Sequence, residues 1–184
     1  AAVRSDSLDY WRKDAKRNLP ELEKTLSERH ERAGELAYLL EPDLKEARGG
    51  LRDIQALRAI SLSGAVQVPL EKISWAESTL NNVREALHTA SGRGKDRLLF
   101  QEQDKVAKIL NYKDADGMMS DVARAARTVD YLLDYTWHAL EHKGKDGLGR
   151  IMRRPRVVNV AKNVSAVERE IIIDSLTSFN EDPV

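Results

Sequence analysis

Apolar residues recur at intervals of three and four along two long segments of the chain, and this spacing predicts two amphipathic helices. In the segment that begins at Asp116 the apolar face consists of Met119, Val122, Ala126, Val129, Leu133, Thr136 and Leu140. In the segment from Glu71 to Ala90 it consists of Ile73, Ala76, Leu80, Val83, Leu87 and Ala90. Asp114 or Asp116 can cap the later helix, and the sequence SGRG ends the earlier one.

Shorter helices are predicted from the same spacing in two other places. One follows Gly50 and carries Leu51, Ile54, Leu57 and Ile60. The other carries Phe100, Val106, Ala107 and Leu110, with Phe100 either inside the helix or in the turn before it.

The N-terminal segment is predicted to form one or two helices. Leu22, Leu26 and Ala33 share a helical face. Pro20 suits the first turn of a helix after Asn18, and Gly34 suits its end. The stretch ELAYLLEPDL that follows is interpreted as extended, because a proline biases the residue before it away from the helical region.

The C-terminal segment has a different composition from the rest. The stretch 143–156 is rich in Lys and Arg with interspersed glycines and is interpreted as a basic linker. Beyond it, β-branched residues favour strands, and residues 157–160 are predicted to pair with 171–173 as a small hairpin. The sequence therefore predicts a mostly α fold. A helical bundle of about five helices covers 1–142 and includes a linker-like segment at 34–50. A short β element follows within 157–184.

Charge and cysteine content exclude several classes of protein. Lys plus Arg equals Asp plus Glu at 30 each, so no overall field draws the chain to nucleic acid or to an anionic membrane. The sequence contains no Cys, which excludes disulfides and thiolate chemistry. No run approaches the roughly 18 apolar residues that span a bilayer, and no secretory signal is evident. We expect a cytoplasmic location without a membrane or nucleic-acid partner, and the absent initial Met suggests an excised segment.

A row of acidic and histidine side chains is the candidate metal site. Asp130, Asp134, His138 and His142 are spaced by four and share one helical face. The alternative is a solvated polar face, which we favour because no further ligand is identifiable. His30 and His88 are interpreted as packing or surface residues, and ASGRGKDRL lacks the spacing of a phosphate-binding P-loop. No metal ligand and no catalytic residue is assigned.

Two longer motifs carry a family resemblance. The first is EPDLKEARGGLRD from Glu41 to Asp53, and the second is DRLLFQEQDKVAKILNY from Asp96 to Tyr112, with Arg84, Leu87 and His88 between them. In both composition and spacing these motifs resemble the bifunctional PII uridylyltransferase/uridylyl-removing enzyme family. In that family the first motif links a nucleotidyltransferase domain to a helical domain, and the second lies further along the helices.

The resemblance implies a nitrogen-sensing enzyme that transfers a uridylyl group from UTP, or an adenylyl group from ATP, to a tyrosine of the PII signalling protein. It also implies removal of that group in response to glutamine, and a requirement for Mg²⁺. The family's catalytic Gly-Ser and His-Asp sequences do not occur here. We therefore expect this chain to be the helical part of such an enzyme and to be inactive by itself.

The resemblance also suggests a nucleotide-binding segment at the start of the helix after Gly50. In two-domain nucleotidyltransferases a helical domain closes one wall of the triphosphate cleft, where cations and N–H donors stabilise the leaving pyrophosphate. The candidates are Lys45, Arg48, Gly49, Gly50 and Arg52. The alternative is a tight structural corner in which Asp53 pairs with a nearby Arg, and the sequence leaves the two interpretations open.

Two other function classes remain possible at this point. A stand-alone helical interaction module would present a broad apolar or complementary surface to a protein partner. A nucleic-acid module would depend on the basic stretch 143–156, which lacks interleaved aromatic residues.

Overall fold

Six α-helices form the N-terminal part of the chain in the computed structural model, which describes residues 2–92, 94–145, 157–161, 164–167 and 170–173. The helices are α1 (Ala2–Lys13), α2 (Ala15–Ala33), α3 (Leu51–Ser63), α4 (Ser74–Ser91), α5 (Phe100–Ile109) and α6 (Ala115–Lys145). Two short 3₁₀ helices lie at Leu36–Tyr38 and Leu70–Ile73. The predicted mostly α fold is confirmed.

The apolar faces predicted for the two long helices lie in one hydrophobic core. Leu80, Val83 and Leu87 of α4 and Val122 and Val129 of α6 are essentially inaccessible to solvent. The start of the α6 face differs from the prediction, because Met118 is fully buried while Met119 is only partly so. Among the described helices α4 packs on α5, and α3 contacts α1, α2 and α4.

Helix ends follow the predicted signals in most places. Asp114 caps α6 by accepting a hydrogen bond from the Gly117 N–H at 2.8 Å, which identifies it in preference to Asp116. Gly34 and Gly92 end α2 and α4 with positive φ angles of 74° and 63°. Phe100 is the first residue of α5 and is 63% exposed.

Two predictions on the N-terminal third were wrong. Pro20 lies inside α2, because that helix already begins at Ala15. A proline there removes one backbone hydrogen bond of the helix. The apolar contacts between α2 and the core offset that loss. The stretch ELAYLLEPDL is not simply extended, since Leu36–Tyr38 forms a 3₁₀ helix and Leu39 after it has an extended backbone.

The chain separates into two compact units, Ala1–Lys143 and Gly144–Val184. In the second unit three strands, β1 (Val157–Ala161), β2 (Val164–Val167) and β3 (Glu170–Ile173), form an antiparallel sheet in the order β1-β2-β3. Residues 157–160 therefore pair with β2 and not with 171–173 as predicted, because β2 lies between them. The predicted linker at 143–156 lies outside the described residues from 146 onward.

Candidate functional site: the corner at residues 41–53

The first family-like motif forms a tight corner, residues 41–53, that leads the chain into α3. Its turn begins at Asp43, whose side-chain oxygen accepts the N–H groups of Lys45 at 2.9 Å and Glu46 at 2.8 Å. Leu44 and Ala47 point into the core and are completely buried. The corner is therefore built as part of the hydrophobic core and not as a surface loop.

Backbone hydrogen bonds attach the corner to chain segments on both sides of it. Arg48 exchanges hydrogen bonds with residues 34 and 36, its N–H donating to the Gly34 oxygen at 2.9 Å. On the other side the Leu44 N–H donates to the Asp96 oxygen at 2.9 Å, and the Leu98 N–H donates to the Pro42 oxygen at 2.9 Å. The two family-like motifs thus meet through their backbones.

The two glycines of the corner are required by close packing. Gly49 has a φ of +83°, and a Cβ atom there would lie 2.5 Å from the Ala126 carbonyl oxygen of α6. A Cβ atom at Gly50 would lie 2.7 Å from the Ala47 oxygen. Real Cβ atoms do not approach backbone oxygens this closely, so only glycine lets α6 and the corner meet as they do.

The N–H groups at the start of α3 are engaged within the protein. The N–H groups of Leu51 and Arg52 donate to the carbonyl oxygens of Leu44 and Lys45 at 3.0 and 3.1 Å. The Gly49 N–H donates to the Asp53 carboxylate at 2.7 Å. These donors, which the nucleotide hypothesis offered to a phosphate, thus already stabilise the corner itself.

Asp53 is the centre of a buried charged group, the Asp53 cluster, which consists of Asp53, Arg29 and His30. Arg29 donates a short hydrogen bond to the Asp53 carboxylate, and His30 Nε2 lies 3.0 Å from both of its oxygens. Arg29 also donates to the Glu46 carbonyl oxygen at 3.3 Å. Burial alone would raise the pKa of Asp53, but the hydrogen bond with His30 and the charge of Arg29 outweigh it and hold that pKa below its ordinary value.

Arg48 joins the corner to α6. Its Nε donates to Asp130 at 2.5 Å, and its Nη2 donates to Asp134 at 2.9 Å. The hydrogen bond to Asp130 raises the pKa of Arg48 in spite of burial, so the guanidinium is permanently charged. Burial raises the pKa of Asp134, and Arg48 opposes that rise. One arginine is thus balanced by two carboxylates on successive turns of α6.

The ion pairs of Arg48 account for half of the candidate metal row. Asp130 and Asp134 bind the guanidinium, and His138 lies further along the same helix with an exposed side chain. Among the side chains that the structure describes, no group of three or more His, Cys, Asp or Glu residues is placed to hold a metal ion. The first two members of the row are therefore ion-pair partners of Arg48, and the interpretation of the row as a solvated polar face stays a prediction.

Lys45 and Arg52, the remaining candidates, lie in different surroundings. Lys45 Nζ is 3.8 Å from Asp96, a carboxylate that Arg84 and His88 of α4 also contact at 2.6 and 2.8 Å. Arg52 is about half exposed and its Nε contacts Glu46 at 3.2 Å. The three charged candidates are therefore close in sequence but have three different sets of carboxylate partners. The two glycines are packed inside the corner. Contact of any of the five candidates with a nucleotide stays a prediction.

Sequence reasoning missed Arg29 and the role of Asp96. Arg29 is spaced three residues from Leu26 and four from Ala33, which places it on the apolar face of α2, and a charged residue on such a face signals a buried partner. The alternative in which Asp53 pairs with an arginine matches the structure. No local pattern in the sequence indicates the ion pair between Lys45 and Asp96, because the two residues lie in separate motifs.

An open groove of about 720 Å³ lies between residues 66–73 and α6. Tyr131 and Tyr135 line it with exposures of 74% and 55%, and Val68 and Leu132 contribute apolar surface. No corner residue lines this groove. Separately, none of the described helices combines the length and the apolar character that crossing a bilayer requires.

Comparisons with known proteins agree with the two motifs. A model of the GlnD PII-uridylyltransferase family matches residues 17–63 and 68–137. A bifunctional uridylyltransferase/uridylyl-removing enzyme of Streptomyces coelicolor is 47% identical over 161 residues, which are 85% of this chain and 18% of that protein. One from Mycobacterium tuberculosis is 31% identical over 182 residues, 94% of this chain and 22% of that protein.

The chain spans about a fifth of the length of these curated relatives. No solved structure matches the chain. The matched residues include the corner, the Asp53 cluster, Asp96 and most of α6. The resemblance predicted from the two motifs is therefore confirmed, and the chain belongs to the GlnD PII-uridylyltransferase family.

Proposed function

We propose that this chain is the helical part of a bifunctional enzyme that transfers a uridylyl group from UTP to a PII signalling protein and removes it again. The main support is that the family model matches the whole corner together with α3, α4, α5 and most of α2 and α6. The names of the curated relatives describe both activities, and we extend these activities to the protein that contains this chain.

The role that we propose for the chain is mechanical support of the transferase. The ion pair between Arg48 and Asp130 holds the corner against α6, and the ion pair between Asp53 and Arg29 holds it against α2. Backbone hydrogen bonds also attach the corner to residues 96–98. Such a corner fixes the direction in which the chain enters α3. A transferase domain joined at this point would therefore meet the helices in a defined orientation, which positions substrates for reaction.

The substrates, cofactor and effector are also proposals. UTP is favoured over ATP by the names of the relatives, and glutamine is proposed as the effector that shifts the enzyme from transfer to removal. We propose that Mg²⁺ is required, but the described residues do not fit it, because Asp130 and Asp134 are occupied by Arg48. We place the enzyme in the cytoplasm, where nucleoside triphosphates and free glutamine are found.

The test uses the complete enzyme that contains this chain, purified and incubated with PII protein and UTP labelled in the α-phosphate. We expect label on PII at low glutamine and its release at high glutamine, and we expect no turnover by the 184-residue chain alone. Label transfer by the isolated chain would contradict its supporting role. Transfer from ATP in place of UTP would contradict the proposed nucleotide, and no transfer from either would overturn the proposed activity.

A further inference from the structure

Three basic side chains converge on one carboxylate where the two family-like motifs meet. We name this group the Asp96 cluster, and it consists of Asp96, Lys45, Arg84 and His88. Arg84 Nε and His88 Nε2 contact one oxygen of Asp96 at 2.6 and 2.8 Å, and Lys45 Nζ lies 3.8 Å from the other. Burial alone would raise the pKa of Asp96, but the hydrogen bonds from Arg84 and His88 lower it, so the carboxylate is charged.

The charge balance of this cluster differs from that of Arg48 and its partners Asp130 and Asp134. Arg48 has two carboxylate partners, whereas Lys45, Arg84 and His88 share the one carboxylate of Asp96 as their described ion-pair partner. The two permanent cations exceed the single negative charge even when His88 is neutral. Like charges held together raise the energy of the site, and an incoming anion with several negative charges would relieve that repulsion.

The basic groups of the cluster also retain donors that face solvent. The side chains of Lys45, Arg84 and His88 are 34%, 33% and 29% exposed, whereas Asp96 beneath them is only 12% exposed. Within the part of the chain that the structure describes, the Nη atoms of Arg84 make no hydrogen bond and Lys45 Nζ makes only its long ion pair. Unused guanidinium and ammonium donors at a partly open surface suit phosphate oxygens.

Rigid elements hold these side chains in place. Arg84 and His88 lie one turn apart on α4, and Asp96 is fixed beside the corner by the hydrogen bond from the Leu44 N–H to its carbonyl oxygen. Lys45 follows directly after Leu44, whose side chain is completely buried. Arg84, His88, Asp96 and the backbone at Lys45 are thus held in place before a ligand binds, which reduces the entropy lost on binding.

We propose that the Asp96 cluster is a binding site for the polyphosphate group of a nucleotide, with Lys45 and Arg84 as direct ligands. Asp96 acts as a positioning residue that directs Arg84 and His88 toward the solvent side. This proposal deepens the proposed function and rests on it for the nucleotide that carries the phosphates. It also separates the candidate cations, because Lys45 binds the ligand while Arg48 braces α6.

The experiment measures binding of inorganic pyrophosphate to the 184-residue chain by calorimetry, and follows the His88 ring signals by NMR. Inorganic phosphate, UTP and uridine serve as comparison ligands. We expect pyrophosphate and UTP to bind and to shift the His88 signals, and we expect phosphate to bind more weakly and uridine not at all. Binding should weaken as salt is added, because exposed charges are screened.

Two variants and one control test the assignment of the ligands. Lys45→Gln and Arg84→Gln should each weaken pyrophosphate binding about tenfold to hundredfold, the scale of one lost charged hydrogen bond. Lys45→Gln removes only a long, partly exposed ion pair, so it keeps the test decisive even if Arg84→Gln unfolds the chain. Arg58→Gln, which removes an exposed ion pair with Glu77 on α4, should bind as the unaltered chain does.

Several results would overturn the proposal. These are the absence of pyrophosphate binding at millimolar concentration, phosphate binding as tight as pyrophosphate binding, uridine binding, and Lys45→Gln binding that equals that of the unaltered chain. A loss in Arg58→Gln as large as in Lys45→Gln would show a nonspecific charge effect and would also overturn it. Failure here leaves the transfer assay of the whole enzyme unaffected, so the site and the proposed activity can fail independently.

Discussion

Replacing Gly49 by Ala is expected to destabilise the helical unit strongly, for two separable physical reasons. The backbone of Gly49 has a φ of +83°, a region that side chains with a Cβ rarely adopt. In addition, the new Cβ would lie 2.5 Å from the Ala126 carbonyl oxygen and 3.0 Å from the Ala126 Cα, both of which belong to the backbone of α6. A backbone neighbour cannot rotate away, so the corner and α6 must separate.

The magnitude follows from adding the two effects. A left-handed backbone costs an alanine roughly 1–2 kcal/mol. Forcing extra volume into a well-packed contact costs about 1–3 kcal/mol more. We therefore expect Gly49→Ala to lower the free energy of unfolding by about 2–5 kcal/mol, a large part of the roughly 5–15 kcal/mol by which a native protein is stable.

Gly64 provides a matched control for the backbone effect. Its φ of +71° is similar, but a Cβ atom there would meet nothing within 4 Å. Gly64→Ala should therefore cost only the backbone part, about 1–2 kcal/mol. The assay is urea unfolding of each variant followed by circular dichroism. Equal losses for the two variants would refute the contact between the corner and α6 as the reason for glycine at position 49.

Three further predictions concern the core, the Asp53 cluster and the metal row. Leu133→Ala should lower the free energy of unfolding by about 2–5 kcal/mol because Leu133 is 2% exposed, whereas Tyr131→Ala, at 74% exposure, should change it by less than about 0.5 kcal/mol in the same urea assay. Asp53→Asn should cost about 3–5 kcal/mol at neutral pH, because it leaves Arg29 buried without a countercharge. Since the pKa of Asp53 is lowered by folding, the carboxylate stabilises the protein above the pKa of the unfolded chain, and urea titrations should show the cost of Asp53→Asn shrinking as the pH falls through the folded pKa. A chelator should leave the melting temperature unchanged, and His138→Ala should do the same; a fall with either would restore the metal hypothesis.

Local patterns predicted the helices well because each depends on residues close together in sequence. The faces of α4 and α6 repeat every three to four residues, and Asp114 and Gly34 carry capping chemistry that acts within one turn. Pro20 was misplaced because its preference for a first turn is weak beside the packing that extends α2 back to Ala15. The sequence paired 157–160 directly with 171–173 and missed β2 between them. Strand pairing depends on contacts across the whole sheet, which a local pattern does not show.

The site was less predictable than the helices because its contacts are long-range. Arg48 and Asp130 are 82 residues apart, and the sequence assigned them to two unrelated hypotheses, a nucleotide site and a metal row. Likewise Gly49 is glycine because of Ala126, which no local motif indicates. What the sequence did provide was the motif itself, which located the corner without revealing which partners its charges have.

The ratio of uridylyl transfer to uridylyl removal in the complete enzyme tests most directly whether the corner is a structural brace. The decisive variant is Arg48→Gln, which releases the corner from Asp130 and Asp134, with Arg17→Gln, an exposed ion-pair variant, as control. If Arg48 is a brace, both activities and the melting temperature should fall together in Arg48→Gln and stay unchanged in the control. Loss of transfer alone, with removal and the melting temperature preserved, would contradict the account and identify Arg48 as a ligand of the nucleotide.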